Sequence, residues 1–425
     1  MASGTDKTKT NPGRNAQPEP HDAGAHELLS GASPFDFQPH TRLVFGVNSV
    51  ERAGELAREL GAKTVLVVTD PGIAAAGHAD RVEHILQSCG MGVVVFDQAR
   101  ENPTTRDVDE CLHVARAAGI EAIIGLGGGS AMDTAKGCNF LLTNGGRVQD
   151  YWGIGKAAKP MLPFIAIPTT AGTGSECQSA ALIADEKTHQ KMACLDPKAA
   201  ALVAILDPML TISQPLPVTA HTGIDAIAHA VETAVTRKRN NLSLMFSHES
   251  FKLTVPNFPQ VLSNPKDIDA RGRMLLGAAF AGTAIENSML GAAHAAANPL
   301  TAHYGVVHGE AVGIMLPHVV RFNARDAAAK RAYAELASAP EIACVSGGLD
   351  SAVEALVARL ESLLNTAHIA RCLGDLGAKR SKIKIMAEEA AKQWTASFNP
   401  RPVTVKDFEN LYSAAFDPRG DGDAT

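Results

Sequence analysis

EAIIGLGGGSAMDTAKG, residues 121–137, decides the architecture of the chain. Its first third is a short apolar run, its centre holds the glycines Gly127 and Gly128, and a helix is expected to start near Ala131. A strand that ends in glycines and opens into a helix lets backbone approach an anion. The unpaired N–H groups and partial positive charge of the helix start then face that anion. A diphosphate suits such an environment. The run is not a clean G-x-G-x-x-G fingerprint, and a glycine cluster by itself is more often a turn than a cofactor site. Its strand–loop–helix setting favours the nucleotide reading.

Working outward, TVLVVTD (Thr64–Asp70) and MGVVVFD (Met91–Asp97) are further β-branched runs. VEHILQSCG and TRDVDECLHVARAAG beside them carry apolar residues at helical spacing. TRLVFG (Thr41–Gly46) is a first strand, a candidate for pairing across a subunit boundary, and SVERAGELARELGA a first helix. Alternating strands and helices imply a parallel sheet covered on both faces. After the Pro-punctuated PMLTISQPLPVTAHTG the strand signals fade from Gly223 onward and helix-forming segments take over. The expected organisation is a disordered tail over 1–40, then an α/β dinucleotide-binding domain, Rossmann-like and doubly wound, over 41–215. An all-α C-terminal metal-binding domain follows over 216–425.

A second small-residue loop, IPTTAGTGSE (Ile167–Glu176), follows the strand PFIAI and offers hydroxyls from Thr169, Thr170 and Thr173 for phosphate, ribose or a nicotinamide amide. Asp70 ends the run TVLVVTD, where a carboxylate accepts from an adenine ribose and repels a 2′-phosphate, favouring NAD over NADP. Capping the helix that Pro71 begins is nearly as good an account of it.

Asp225 and His229 stand four apart in GIDAIAHAVE, which puts them on one helix face. His294 and His308 follow in GAAHAAANPLTAHYGVVHGEA. Any one histidine near an apolar face is more often structural than a ligand. Three imidazoles and a carboxylate in this arrangement suit one divalent cation, Fe(II) or Zn(II).

Composition narrows the alternatives. A chain of 425 residues is long enough for two cores. A net charge of −6 provides no basic field for nucleic acid or an anionic membrane. Seven scattered cysteines without a CxxC pair read as reduced thiols. The N-terminus lacks the apolar core of a secretory signal, so the expected location is cytoplasmic. The uncharged window Asn287–Gly309 holds too many polar groups for a membrane span. The closing PRGDGDAT is expected to fray.

Taken together, GGGSAMDTAKG, PTTAGTGSE, GIDAIAHAVE and HAAANPLTAHYGVVHGEA, followed by LPHVVRFN, are similar to the iron-containing (group III) alcohol dehydrogenase family. The resemblance runs from about Thr41 to the C-terminal helices. It implies an active site between the nucleotide-binding and helical domains, with Asp225, His229, His294 and His308 as metal ligands. Gly127, Gly128, Ser130 and Asp133 would lie on the pyrophosphate side, and Thr169, Thr170 and Thr173 nearer ribose and nicotinamide. Asp70 matches the ribose-binding acid, and Asn102 with Pro103 the NPT loop. A homo-oligomer is implied by the resemblance alone.

One departure matters. Members often carry a second histidine four residues after the third ligand, and here that position is Asn298. An amide does not exchange a proton near neutral pH as imidazole does. Asn298 and His303 are therefore the residues on which proton transfer turns, the proton passing through water, cofactor ribose hydroxyls or His303. The expected reaction is reversible hydride transfer between a nicotinamide cofactor and a small alcohol or its carbonyl. Rival readings are a hydroxyacid–oxoacid transhydrogenase, which needs a cationic clamp for the acid, and a dehydroquinate synthase-like lyase, which needs several phosphate-binding cations. The third is a non-catalytic metal- or nucleotide-binding protein.

Overall fold

The computed structural model describes residues 1, 34–188, 190–339 and 347–416. The expected tail over 1–40 and the C-terminal PRGDGDAT therefore lie mostly or wholly outside the described residues. The described residues from Phe35 onward pack as one compact unit, with the change from α/β to helical architecture inside it.

The first part runs β1 (Arg42–Phe45), α1 (Ala53–Glu59), β2 (Thr64–Val68), α2 (Pro71–Ala75), α3 (His78–Ser88), β3 (Gly92–Phe96), α4 (Thr105–Ala118), β4 (Ala122–Gly127) and α5 (Gly129–Asn144). It continues with β5 (Gly153–Ile154), β6 (Phe164–Pro168), β7 (Ala180–Ala184), β8 (Lys191–Leu195) and β9 (Val203–Leu206). Helices follow: α6 (Leu216–Thr233), α7 (Asn241–Ser263), α8 (Ile268–Ser288), α9 (Ala292–Tyr304), α10 (His308–Asn323), α11 (Ala327–Ala337), α12 (Gly348–Thr366), α13 (Ile383–Ala390) and α14 (Val405–Phe416).

Six strands form a parallel sheet in the order β1-β9-β6-β4-β2-β3. The sheet is buried on both faces, which is why its strands read as unbroken apolar runs. Leu66 and Val68 of β2 pack into one core with Ile123 and Phe164, while Val65 and Val67 pack into the opposite core with Ile124, Ile165 and Ile205. A third core of alanine, leucine and valine fills the helical part. From β2 the chain moves outward to β3 and then crosses back to β4 on the other side of β2. Ligands of open α/β sheets bind at the carboxyl ends of the strands beside such a reversal. The turns after β2, β4 and β6, neighbours in the sheet, carry Asp70, Gly128 and Thr169.

Several expectations need correcting. β1 pairs in parallel with β9 of its own chain, Arg42 opposite Val203 and Phe45 opposite Leu206, and forms one edge of the sheet. α5 begins at Gly129, two residues before Ala131, because the glycines themselves enter the first turn. α6 starts at Leu216 and not at Gly223, since Pro217 is compatible with a helix's first turn, where its missing N–H is no loss. A second sheet, β5-β8-β7 with β7 and β8 antiparallel, was not anticipated. Among the described residues, no helix is long and apolar enough to cross a membrane.

Candidate metal and cofactor site

α6 is alanine- and isoleucine-rich and buried over its last three turns, so the polar residues on that stretch are placed with little freedom. Asp225 and His229, one turn apart, are 5% and 4% exposed. His294 enters from the first turn of α9 and is equally buried. Its Nε2 lies 3.4 Å from Asp225 Oδ1, and His229 Nε2 lies 3.5 Å from the same oxygen. The His229 and His294 rings stack at 4.7 Å, tilted by 18°. One ligand atom from each of the three side chains falls within 4.8 Å of the others. His308, the first residue of α10, brings its ring to 5.4 Å from that of His294.

The residues fit a divalent cation on two counts. Asp225 Oδ1 and His294 Nε2 are buried and have no well-formed hydrogen bond. Two carboxylates, Asp225 and Glu232, are buried beside each other's imidazole partners and need compensating positive charge. Burial opposes their ionisation, but His229, His294 and His308 hold Asp225 well below the usual carboxylate range, and His294 with the N–H groups of Gly291 and Ala293 depresses Glu232. Burial also pulls His294 down, yet Glu232 and Asp225 lift it to about 9. Burial takes His229 to about 4 and His308 to about 3, against the attraction of Asp225.

Glu232 is a buried carboxylate beside this cluster that the sequence reading passed over. It accepts from Gly291 N at 3.1 Å and Ala293 N at 2.7 Å, capping α9, and its Oε2 sits 2.6 Å from His294 Nδ1. That contact fixes the ring so that Nε2 faces Asp225, the outer-shell arrangement that orients metal-binding histidines. The signal was present: Asp225, His229 and Glu232 stand at 0, +4 and +7, one helical stripe.

The glycine turn after β4 and the threonine loop after β6 converge at the strand ends. Gly127 has φ +148°, and a Cβ there would come within 2.9 Å of Ala131 Cβ and 3.3 Å of Asp70 Oδ2. Asp70 does cap α2, its Oδ1 accepting from Gly72 N and Ile73 N, while Oδ2 faces the glycine turn. Gly128 lies against Thr170 and Gly129 against Thr173, so the two small-residue loops touch. Ser130 is in the first turn of α5, where the N–H groups lack side-chain caps. Thr169 is buried; its N–H donates to Gly127 O, and its hydroxyl accepts from Gln214.

Asp133 faces the Leu182 N–H of β7, the Ser175 hydroxyl, Lys136 and Lys191. Burial raises it to about 6, against those two cations. Lys191 is a second residue that sequence reasoning missed. Its Nζ donates to Asn102 Oδ1 at 3.3 Å. Solvent reaches Lys191, yet surrounding protein lowers its pKa while Asp133 and Asp225 pull the other way, which describes a residue in the wall of a cleft. No sequence motif marks it. Asn102 takes φ +51°, and Pro103 O accepts from Ala184 N, tying that loop to β7.

Asn298 lies one turn beyond His294 on α9 and donates from Nδ2 to Gln393 Oε1 at 2.9 Å. His303 is not brought to the other site residues. Nine residues after His294 it stands half a turn round α9 and about 13 Å along its axis, and its Nε2 pairs with Glu389 at 2.8 Å.

Known proteins resemble this chain over most of its length. A family model described as iron-containing alcohol dehydrogenase matches residues 40–208, and the C-terminal model of the Fe-containing alcohol dehydrogenase family matches 219–416. Alcohol dehydrogenase 4 of Schizosaccharomyces pombe is 34% identical over 372 residues, covering 88% of this chain and 87% of that protein. NAD-dependent methanol dehydrogenase of Bacillus methanolicus is 32% identical over 372 residues, covering 88% and 97%. The crystal structure of a 1,3-propanediol oxidoreductase superposes with a TM-score of 0.87 at 32% identity, covering 90% of this chain and all of the other. Sulfoacetaldehyde reductase from Bifidobacterium kashiwanohense in complex with NAD+ gives 0.81 at 26% identity, covering 90% and 99%. With both halves of the chain matched, the protein belongs to the iron-containing alcohol dehydrogenase family.

Proposed function

We propose that this enzyme transfers a hydride between NAD and a small alcohol or its aldehyde or ketone, with Fe(II) or Zn(II) held by Asp225, His229, His294 and His308. The observation that carries the reading is the meeting of three buried ligand atoms, two of them without a well-formed hydrogen bond, in a chain whose glycine turn and threonine loop abut. A divalent cation there supplies Lewis acidity, lowering the pKa of an alcohol hydroxyl and polarising a carbonyl. NAD supplies the ring that takes the hydride. The chain's own part is placement. The uncapped first turn of α5 at Gly129 and Ser130 receives the pyrophosphate, and Thr170 and Thr173 border the path toward the metal ligands. Asn298 orients substrate by hydrogen bonding and carries no proton, and His303 is committed to Glu389. Proton release therefore runs through water and cofactor hydroxyls.

The rival readings fare less well. Lys191 is a cation near Asp225, but it is engaged by Asn102 and offset by Asp133, so it is neither a forked clamp for a carboxylate nor by itself a set of phosphate-binding cations. Homo-oligomerisation rests on the family likeness alone, and size-exclusion chromatography tests it. To test the reaction, Fe(II)-loaded protein is incubated with NADH and a panel of short aldehydes and ketones. NADH is consumed with one or more of them, chelator-stripped protein is inactive, and Fe(II) restores the rate. Activity unaffected by complete metal removal would falsify the reading.

Asp70 permits a sharper test. Asp70→Ser keeps a helix-capping oxygen and removes the charge, so stability is retained. The ratio of kcat/KM for NADP to that for NAD is expected to rise about tenfold, the effect of relieving about 1.4 kcal/mol of like-charge repulsion. An unchanged ratio leaves Asp70 as a cap only.

A further inference from the structure

Behind the threonine loop lies a small cavity of mixed lining, with Val261 and Met274 beside several hydroxyls and one uncompensated positive charge. Arg271, in the first turn of α8, is 4% exposed. Its Nε donates to Pro265 O and its Nη1 to Thr211 O at 2.6 Å, but Nη2 has no hydrogen-bond partner. Among the described residues no carboxylate pairs with it, and burial alone lowers its pKa. A guanidinium is rarely buried without a counter-charge.

The cavity it lines is bordered by Thr170, Gln214, Thr219 and Thr222. Thr219 Oγ is buried and, like Arg271 Nη2, has no hydrogen-bond partner. Both Thr219 and Thr222 lie in the first two turns of α6, an 18-residue helix whose start has no side-chain cap and no acidic residue in its first turn. The positive end of that helix dipole thus adds to the guanidinium. The free space is about 10 Å³, room for one water-sized sphere. Phosphate, sulfate or a carboxylate exceeds it.

From these features we infer that the cavity is a binding site for a monatomic anion, with chloride as the physiological class of ligand, held by Arg271 Nη2 and Thr219 Oγ. Its occupant would bridge α8, the start of α6 and the loop after β6. That loop already meets α6 closely: a Cβ on Gly172 would fall 2.5 Å from Thr222 Cβ. A halide supplies the missing negative charge and accepts from both unspent donors, whereas a water satisfies the donors without balancing the charge.

The test uses the whole protein in sodium chloride, sodium bromide and sodium gluconate at equal ionic strength. Halide is expected to raise Tm by about 2 °C or more over gluconate. Crystals soaked in bromide should show anomalous scattering within hydrogen-bond distance of Arg271 Nη2 and Thr219 Oγ. Arg271→Met should remove the halide dependence. Should that variant fail to fold, Thr219→Val, which deletes only an unpartnered hydroxyl, should weaken halide binding about tenfold. A water at the position with no anomalous signal, bromide found only on the surface, or a halide effect unchanged in Thr219→Val overturns the assignment.

Discussion

Asp225→Asn is expected to lower kcat/KM by about a thousandfold or more, near 4 kcal/mol of lost stabilisation, with little change in fold. The substitution is nearly isosteric, and Asp225 Oδ1 has no well-formed hydrogen bond to lose. What disappears is the negative charge at the point where His229 Nε2 and His294 Nε2 converge. A neutral amide oxygen is a poorer partner for a hard or borderline dication than a carboxylate. The measurements are metal content per chain, circular dichroism and NADH affinity. Metal content should fall with activity, while secondary structure and NADH affinity stay near wild type, because Asp70, Gly128 and Thr170 are untouched. A variant that retains one metal ion and full activity would remove Asp225 from the ligand set.

The sequence was most readable where one physical constraint dominates. β2, β4 and β6 are covered on both faces, so nothing but apolar residues suits them, and their boundaries fall close to the expected ones. The ligand helix was equally plain, because Asp225 and His229 need only helical spacing to share a face. What escaped depends on tertiary contacts. β7 and β8 are short, alanine-containing strands whose identity comes from pairing with each other. Glu232 looked like an ordinary helix residue until the N-terminus of α9 arrived beside it. Lys191 becomes interesting only when the turn carrying Asn102 is brought across to it. His303 shows the reverse failure: five residues of sequence separate it from Asn298, but the helix carries it round to Glu389. Proximity in sequence is a poor guide on a helix unless the spacing is three or four.

Gly309→Ala is expected to destabilise the protein by about 3 kcal/mol, at the upper end of the range for overpacking, and to reduce metal content as well. A Cβ at Gly309 would sit 2.1 Å from the His221 carbonyl oxygen and 2.8 Å from its carbon. Both are backbone atoms of α6 and cannot rotate aside. Relief requires α10 to move away from α6, and His308, the first residue of α10, moves with it, away from Asp225 on the other helix. The effect is thus steric and directional, coupling stability to the ligand geometry. Gly305 provides the control. It lies four residues earlier, takes φ +66° at the end of α9, and has open space where a Cβ would go. Gly305→Ala should cost only about 1 kcal/mol from the left-handed backbone and leave metal content unchanged. Thermal unfolding and metal analysis on both variants separate the two causes. Equal losses of metal in both would show that the link between α9 and α10 is merely fragile, whereas a loss confined to Gly309→Ala means that the contact of α10 with α6 sets the position of His308.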